Sequence, residues 1–509
     1  MATTYPPTIP PSISEADPRY HRTVRRLFAA ISAIVSLPDS ATLADRERLL
    51  EIEGRELMRQ LLQDDLDRLF DQESTQPPCD LDDPSVTCRP TTRQLRSVFG
   101  DVEIRRRTWK APESPGRRPL DAQLNAPDGL YSHRVAAVLG AEVVKASFDS
   151  AEAALRSRGI SVPRRQAEEL SAKLASHFDE FYAQRTATLP PQPHAVLAMS
   201  ADGKGIPMRT ADLRPETKKR AQTKGPRTRP RLGPGEKADK KRMAEVAAIW
   251  WQEPTPRTPE DIVGHVDGTN RPDPPKLSAP VGKRVWASVE RDLGAVIAEL
   301  FDEAERRDPK HAHRWVVLVD GNRDQITAIK REAKRRGVTV ELVLDVIHVV
   351  EYLWRAASAL FGNEPAGRAQ ADGWVSHQLH DLLRGASGSV ASRMSNMATK
   401  GKVSPTAIKA LRKSAKYLTN HRSMLRYDLA LKAGFPIATG VIEGACRHLV
   451  KDRMEITGAR WRLVTAEAVL RLRAVRSSGD WDGYLAFYEM REHANNHAWY
   501  FEAAVAEAA

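Results

Sequence analysis

The sequence predicts an α/β protein, and three observations point there. Two short apolar runs, HAVLAMSADG and HRWVVLVDGN, each end in Asp-Gly, the pattern of a buried strand that delivers a side chain to a sheet edge. Around them stand amphipathic stretches such as LLEIEGRELMRQLLQDDLDRLF, where Leu49, Ile52, Leu57, Leu61, Leu62 and Leu66 recur at helical steps. The chain of 509 residues, 41% of them apolar, is long enough for three or more structural units with ordinary cores.

Residues 1–17 are proline-rich and read as disordered, and 18–72 read as helical. Within the latter, FAAISAIVSL reads as a buried helix, too short to span a membrane. Residues 73–92, with paired prolines and two cysteines, read as a linker. QLRSVFGDVEIRRRTW reads as a β-hairpin, in which Val102 and Ile104 alternate with charged residues before Arg105, Arg106, Arg107 and Trp109. Residues 133–183 read as three helices, with Gly159 closing the second and Ser161 capping the third ahead of Pro163. Two helices across a short glycine-containing turn fit a helix-turn-helix. Arg164, Arg165 and Gln166 then start its recognition helix, although a plain helical hairpin fits the same pattern.

From residue 194 the pattern becomes α/β. RMAEVAAIWWQ is a second strand, and between it and Asp202 runs a basic stretch from Arg214 to Arg242, a solvated loop by composition and a credible phosphate contact by position. Residues 254–280 read as a loop, and KRVWASVERDLGAVIAELFDEAERR as one helix. VTVELVLDVIH begins as a strand and passes into a helix, residues 364–435 read as mainly helical, and GVIEGACRHLVKDRM is a helix carrying Glu443. The resulting division is 1–92, 93–190, 191–363, 364–436 and 437–509.

Charge narrows the partners. The net charge is +12, which suggests a polyanion, most simply nucleic acid, although ribosome-associated and membrane-surface proteins share this balance. Cys79, Cys88 and Cys446 form no CxxC pair and cannot build a disulfide framework, so a cytoplasmic protein with loop thiols at 79 and 88 is expected. MATTYPPTIPPSIS lacks the basic start of a secretory signal, and no apolar run reaches 18 residues, so no membrane association is expected. The absence of GxxxxGK[ST], HExxH and GxSxG argues against a P-loop ATPase, a zinc protease and an α/β-hydrolase.

The chemistry-bearing residues are acidic. Asp202 and Asp320 share the strand-Asp-Gly context, and Glu443 lies between Gly440 and Gly444. Two aspartates on neighbouring strands and a third carboxylate from a helix supply the hard oxygens that Mg²⁺ takes, together with waters and substrate phosphates. Alone, an Asp-Gly at a strand end is more often a turn, and Glu443 with Arg447 and Lys451 on one helix face is more often an ion-pair ladder. The cluster of Arg447, His448, Lys451, Arg453 and Arg460 is denser than a ladder needs. Asp345, His348 and Glu351 form a DxxHxxE run, for which a supporting hydrogen-bonding or packing role is preferred over a zinc site.

The blocks MSADGKGI, WVVLVDGN, LVLDVIHVVEYLW, AGFPIATGVIEGACRHLVKDRMEITGARW and AEAVLRLRAVRSSGDW, in this order over roughly residues 93–500, resemble insertion-sequence transposases of the DDE superfamily, the bacterial ISKra group in particular. The resemblance implies a ribonuclease-H-like catalytic core with a helical insertion, preceded by a helical and small β region that includes a helix-turn-helix. It implies Asp202, Asp320 and Glu443 as the catalytic, metal-holding triad, with Asp345 and His348 in support. Arg164, Arg165, Gln166, Arg447, Lys451, Arg453 and Arg460 are the DNA-binding candidates. It further implies Mg²⁺, replaceable by Mn²⁺, as cofactor, and double-stranded DNA (element ends and target) as partner of a homo-oligomer. Two other readings remain: a catalytically inactive DNA-binding protein, and a ribonuclease-H-like nuclease without strand transfer.

Overall fold

A computed structural model describes residues 18–78, 85–112, 116–223, 240–266 and 275–500. The expected disorder of residues 1–17, Cys79 and the middle of the basic stretch lie outside these residues. The chain forms two compact units, Met1–Phe181 with Asp482–Ala509, and Tyr182–Trp481.

In the first unit, α1 (His21–Val35) and α2 (Leu43–Gln72) form a helical hairpin. A capping box starts α2: the Thr42 hydroxyl accepts from Asp45 N at 3.2 Å, and the Asp45 carboxylate accepts from Thr42 N at 3.1 Å. Asp64, wholly buried on α2, accepts from Arg22 and Thr23 of α1 and from Gln60. This polar lock joins the two helices beside the half-buried Val24, Leu27 and Ile34. Phe28, Ile31 and Val35 stay exposed, contrary to the expected buried helix.

Strands β1 (Thr87–Ser97) and β2 (Gly100–Lys110) pair antiparallel around a two-residue turn at Val98 and Phe99. The expected linker therefore ends sooner, because residues 87–92 pair with residues 105–110. Leu95, Val102 and Ile104 pack with Leu66 of α2.

Helices α3 (Pro119–Gln123), α4 (His133–Val143), α5 (Phe148–Ser157), α6 (Arg164–Leu174) and α7 (Phe178–Gln184) follow. Gly159, at φ +71°, lets the chain turn after α5 as expected. Ser161 does not cap α6: Pro163 stands at the N-cap and no side chain caps it. The helix Trp481–Asn496 joins this unit from Asp482 onward instead of the core. There Tyr484 donates to Leu174 O at 2.6 Å, Asn125 donates to Glu489 O at 3.0 Å, and His177 faces Glu492 at 3.2 Å.

The second unit is built on a five-stranded mixed sheet. Its strands are β3 (Val196–Pro207), β4 (Lys241–Gln252), β5 (Val281–Ser288), β6 (Trp315–Val319) and β7 (Val340–Leu344), in the order β5-β4-β3-β6-β7. β3, β4 and β5 run antiparallel, while β3, β6 and β7 run parallel. Residues 196–201 and 315–319 are buried without alternation, so both faces of the sheet are covered there, which explains the continuous apolar runs.

β5 corrects the expectation of a single helix from Lys283. Its residues 284–288 are all buried, and the helical part begins only at α10 (Leu293–Arg307), capped by Asp292. Likewise α9 (Pro259–Val266) interrupts the expected loop at 254–280, after α8 (Pro215–Thr223). α11 (Arg323–Arg336) and α12 (Val346–Phe361) follow β6 and β7. α13 (Pro365–Leu383), α14 (Ser387–Lys400), α15 (Pro405–Asn420) and α16 (Tyr427–Lys432) make the expected helical segment, which clusters within this unit. α17 (Gly440–Ala445), a π-helical turn (Cys446–Lys451), α18 (Asp452–Met454) and α19 (Leu463–Ser477) return to the sheet.

Candidate active site

Asp202 does not end its strand, as the sequence suggested: β3 continues to Pro207 against β4. What ends near Asp202 is the pairing with β6, whose last couple is Ser200 with Leu318. Asp202 and Asp320 each stand two residues beyond that couple in sequence, Asp202 still within β3 and Asp320 just past the end of β6. Side chains alternate along a strand, so within β3 Asp202 continues the face of Ser200.

Asp202 Oδ1 accepts from Gly203 N at 2.6 Å, and Oδ2 accepts from the Cys446 thiol at 3.2 Å. Burial, reinforced by Asp202, pushes that thiol well above its ordinary range, so Cys446 remains a donor. Asp320 Oδ1 accepts from Asn322 N at 2.7 Å, and Asn322 in turn caps α11. On the main chain, Tyr417 of α15 donates to Asp320 O at 2.9 Å, and His421 meets Gly321 O at 3.1 Å. Tyr352 of α12 stacks on Tyr417 with ring centroids 4.0 Å apart. The helical segment thus grips the loop that carries the second aspartate.

Glu443 is exposed on α17, a helix in contact with β3, β4 and β5. Cys446, three residues on and within one helical turn, reaches Asp202, which brings the helix to the first carboxylate. Although the side chain is exposed, desolvation by the protein beneath it raises the Glu443 carboxyl, the Asp345 charge adds to this, and His348 opposes it.

Asp345 lies wholly buried between the pieces. Its N–H donates to Val319 O at 2.8 Å beside Asp320, and its carboxylate caps α12 by accepting from Ile347 N at 2.9 Å. The same carboxylate accepts from the Thr439 hydroxyl, which lies 3.4 Å from Glu443 Oε1. A buried, fully engaged carboxylate of this kind positions its neighbours. His348 is partly exposed, 3.8 Å from Glu351.

Among the described residues no three His, Cys, Asp or Glu side chains close on one point as a metal cage does. The donors are nonetheless carboxylate oxygens throughout, and Mg²⁺ characteristically takes one or two of these and completes its shell with water and phosphate. No family model matches the chain, and no curated protein matches it either.

The basic candidates separate by exposure. Arg164 is exposed but pairs with Asp149 at 3.3 Å and Glu168 at 3.4 Å, Arg165 pairs with Glu169 at 3.1 Å, and Gln166 accepts from Tyr131. Lys451 and Arg460 are exposed, as is Arg447, which lies 3.7 Å from Asp452. Arg453 is a correction: it is buried against the Trp461 ring at 4.7 Å, and burial lowers its guanidinium to about 10, so it is not a surface contact. Tyr417, His421, Thr439 and Cys446 were missed, because their partners lie between 94 and 244 residues away and no local pattern marks them. No helix among the described residues is long and apolar enough to cross a membrane.

Proposed function

We propose that this chain is a DDE-type DNA transposase with a ribonuclease-H-like core, which cleaves phosphodiester bonds at element ends and joins them to target DNA. The observation that carries this reading is the parallel pairing of β3 with β6, which ends at Ser200 and Leu318 two residues before Asp202 and Asp320, with the Glu443 helix packed on the same sheet. The mixed strand order, with the Asp202 strand central, supports the core assignment. The net charge of +12 supports a DNA partner.

Asp202, Asp320 and Glu443 would hold Mg²⁺, which when bound activates the attacking oxygen and stabilises the leaving one. The chain's own part is positional. Gly203 N and Asn322 N orient the two aspartates, Tyr417 and His421 hold the Asp320 loop, and Asp345 through Thr439 sets the start of the Glu443 helix.

The test is cleavage of a labelled duplex taken from the DNA on either side of the gene, searched first for inverted repeats, with Mg²⁺, beside a gel shift without metal. Asp202→Asn, Asp320→Asn and Glu443→Gln should each abolish cleavage and leave binding intact, since an amide keeps the shape but loses the charge that holds a cation. Asp345→Asn should lower the rate without removing a metal ligand. Full cleavage by Asp320→Asn overturns the mechanism; binding without cleavage by the native chain favours an inactive DNA-binding protein.

A further inference from the structure

We propose that the first unit holds a pocket for one unpaired nucleotide of a nucleic-acid strand, with Arg93, Arg106 and Arg118 facing its phosphate and Trp499 its base. The cavity, about 510 Å³, is lined by residues of the β1–β2 hairpin, the segment 116–130 and the segment 496–499. All belong to the one unit.

The first argument is charge. Arg106 is 8% exposed, and its Nη1 has no hydrogen-bond partner among the described residues. One carboxylate opposes it, Asp121, with Oδ2 3.3 Å from Nε. Arg93 gives two of its five N–H donors to the carbonyls of Pro127 and Gly129, neutral acceptors that leave its charge unpaired and its other donors for a ligand. Arg118 is exposed, and both Arg93 and Arg118 act on Arg106 and Asp121 through space. The other acid of the lining, Asp128, is already paired with Lys173. Three guanidiniums thus converge on one carboxylate, an excess that complements a phosphodiester.

The second argument is size and surface. A phosphate alone does not need a cavity of this volume, whereas small-ligand pockets span roughly 300–1,000 Å³. Trp499, partly exposed, is among the lining residues with the Arg117 guanidinium 5.3 Å from its ring centroid, and an indole ring is a surface on which any base can stack. Bases in a duplex are already stacked on their neighbours, so the base that enters is unpaired. The choice of nucleic acid over another phosphate rests on the function proposed above.

The experiment uses the full chain without divalent metal. Fluorescence anisotropy measures a labelled pentathymidylate, an abasic pentamer of equal charge, and displacement by thymidine monophosphate. Pentathymidylate should bind about fivefold or more tightly than the abasic pentamer, and Trp499→Leu should erase that difference. Arg118→Ala should make the salt dependence shallower by about 0.7 in the logarithmic slope, one phosphate contact on a single strand. Equal binding of both pentamers, or no effect of either substitution, overturns the pocket. Displacement by the mononucleotide at the concentration of the pentamer overturns the strand as its ligand. Loss of this pattern with cleavage intact removes the pocket alone, and failure of cleavage with the pattern intact removes the catalytic reading alone.

Discussion

Gly203 and Gly321 follow the two aspartates in the same dipeptide and serve different needs. Gly321 adopts φ +92°, and a Cβ there would meet the Tyr417 hydroxyl at 2.9 Å, so the loop requires glycine twice over. Gly203 stays in the strand; a Cβ would meet Met243 Cε at 2.9 Å and a Glu245 carboxylate oxygen at 3.4 Å. Glu245 is therefore packed over a bare stretch of β3, and burial pushes its carboxyl up to about 7, with Arg214 opposing and Asp202 adding. The folded chain keeps this proton above the ordinary value of 4.5, so the associated stability is complete below that value and lost as pH rises through 7. Glu245→Gln, always neutral, should match the native stability near pH 4 and exceed it near pH 8 by on the order of 1–3 kcal/mol, read as a higher melting temperature at the higher pH only. A native chain at least as stable as the variant near pH 8 would refute this.

Elements differ in how their identity is enforced. β5 carries apolar and charged residues that suit a helix as well as a strand, and only its place at the sheet edge decides. Arg284 and Trp286, two apart, both reach α10: Arg284 donates to Glu303 at 2.6 Å and Trp286 to Glu299 at 3.2 Å. Arg307 also donates to Glu303, at 2.7 Å, and Arg284 lies 3.8 Å from the Tyr182 ring centroid. Glu303 thus joins strand to helix in a buried cluster. Glu303→Leu leaves two buried guanidiniums without their carboxylate and should cost about 3–5 kcal/mol, read as a lower midpoint of urea unfolding. An unchanged midpoint would mean that packing alone sets β5. The π-helical turn after α17 is a second tertiary decision: it widens the spacing so that Arg447 lies near Asp452, five residues on, and interrupts the four-residue steps that would put Glu443, Arg447 and Lys451 on one helix face.

For the whole molecule, the division into units runs against chain order. The chain leaves its first unit after Phe181 and returns at Asp482. The returning helix supplies Tyr484, which packs edge-on to Phe181 at 5.4 Å, and Tyr488, which does so to His133 at 5.8 Å. Removing residues 482–509 should therefore loosen α4 to α7 and leave the sheet intact. Hydrogen exchange should rise over residues 133–181 and stay unchanged in β3, β4 and β6; uniform protection in both variants would show that the helix is dispensable.

What the sequence determined by itself is what period and punctuation encode: the strands before Asp202 and Asp320, most helices, the β-hairpin, and the glycine closing α5. Apolar runs and turn residues are local causes, so they are legible locally. The three carboxylates were marked as candidates by their short contexts, strand-Asp-Gly twice and a glutamate between glycines. Tertiary structure alone decided the pairing of the two strands that lead to Asp202 and Asp320, the continuation of β3 past its aspartate, and the strand at β5. It also decided the burial of Arg453 and the hold of Tyr417, Thr439 and Cys446 on the site. Each of these depends on a partner distant in sequence, and a residue's own neighbours carry no record of which distant surface it will meet.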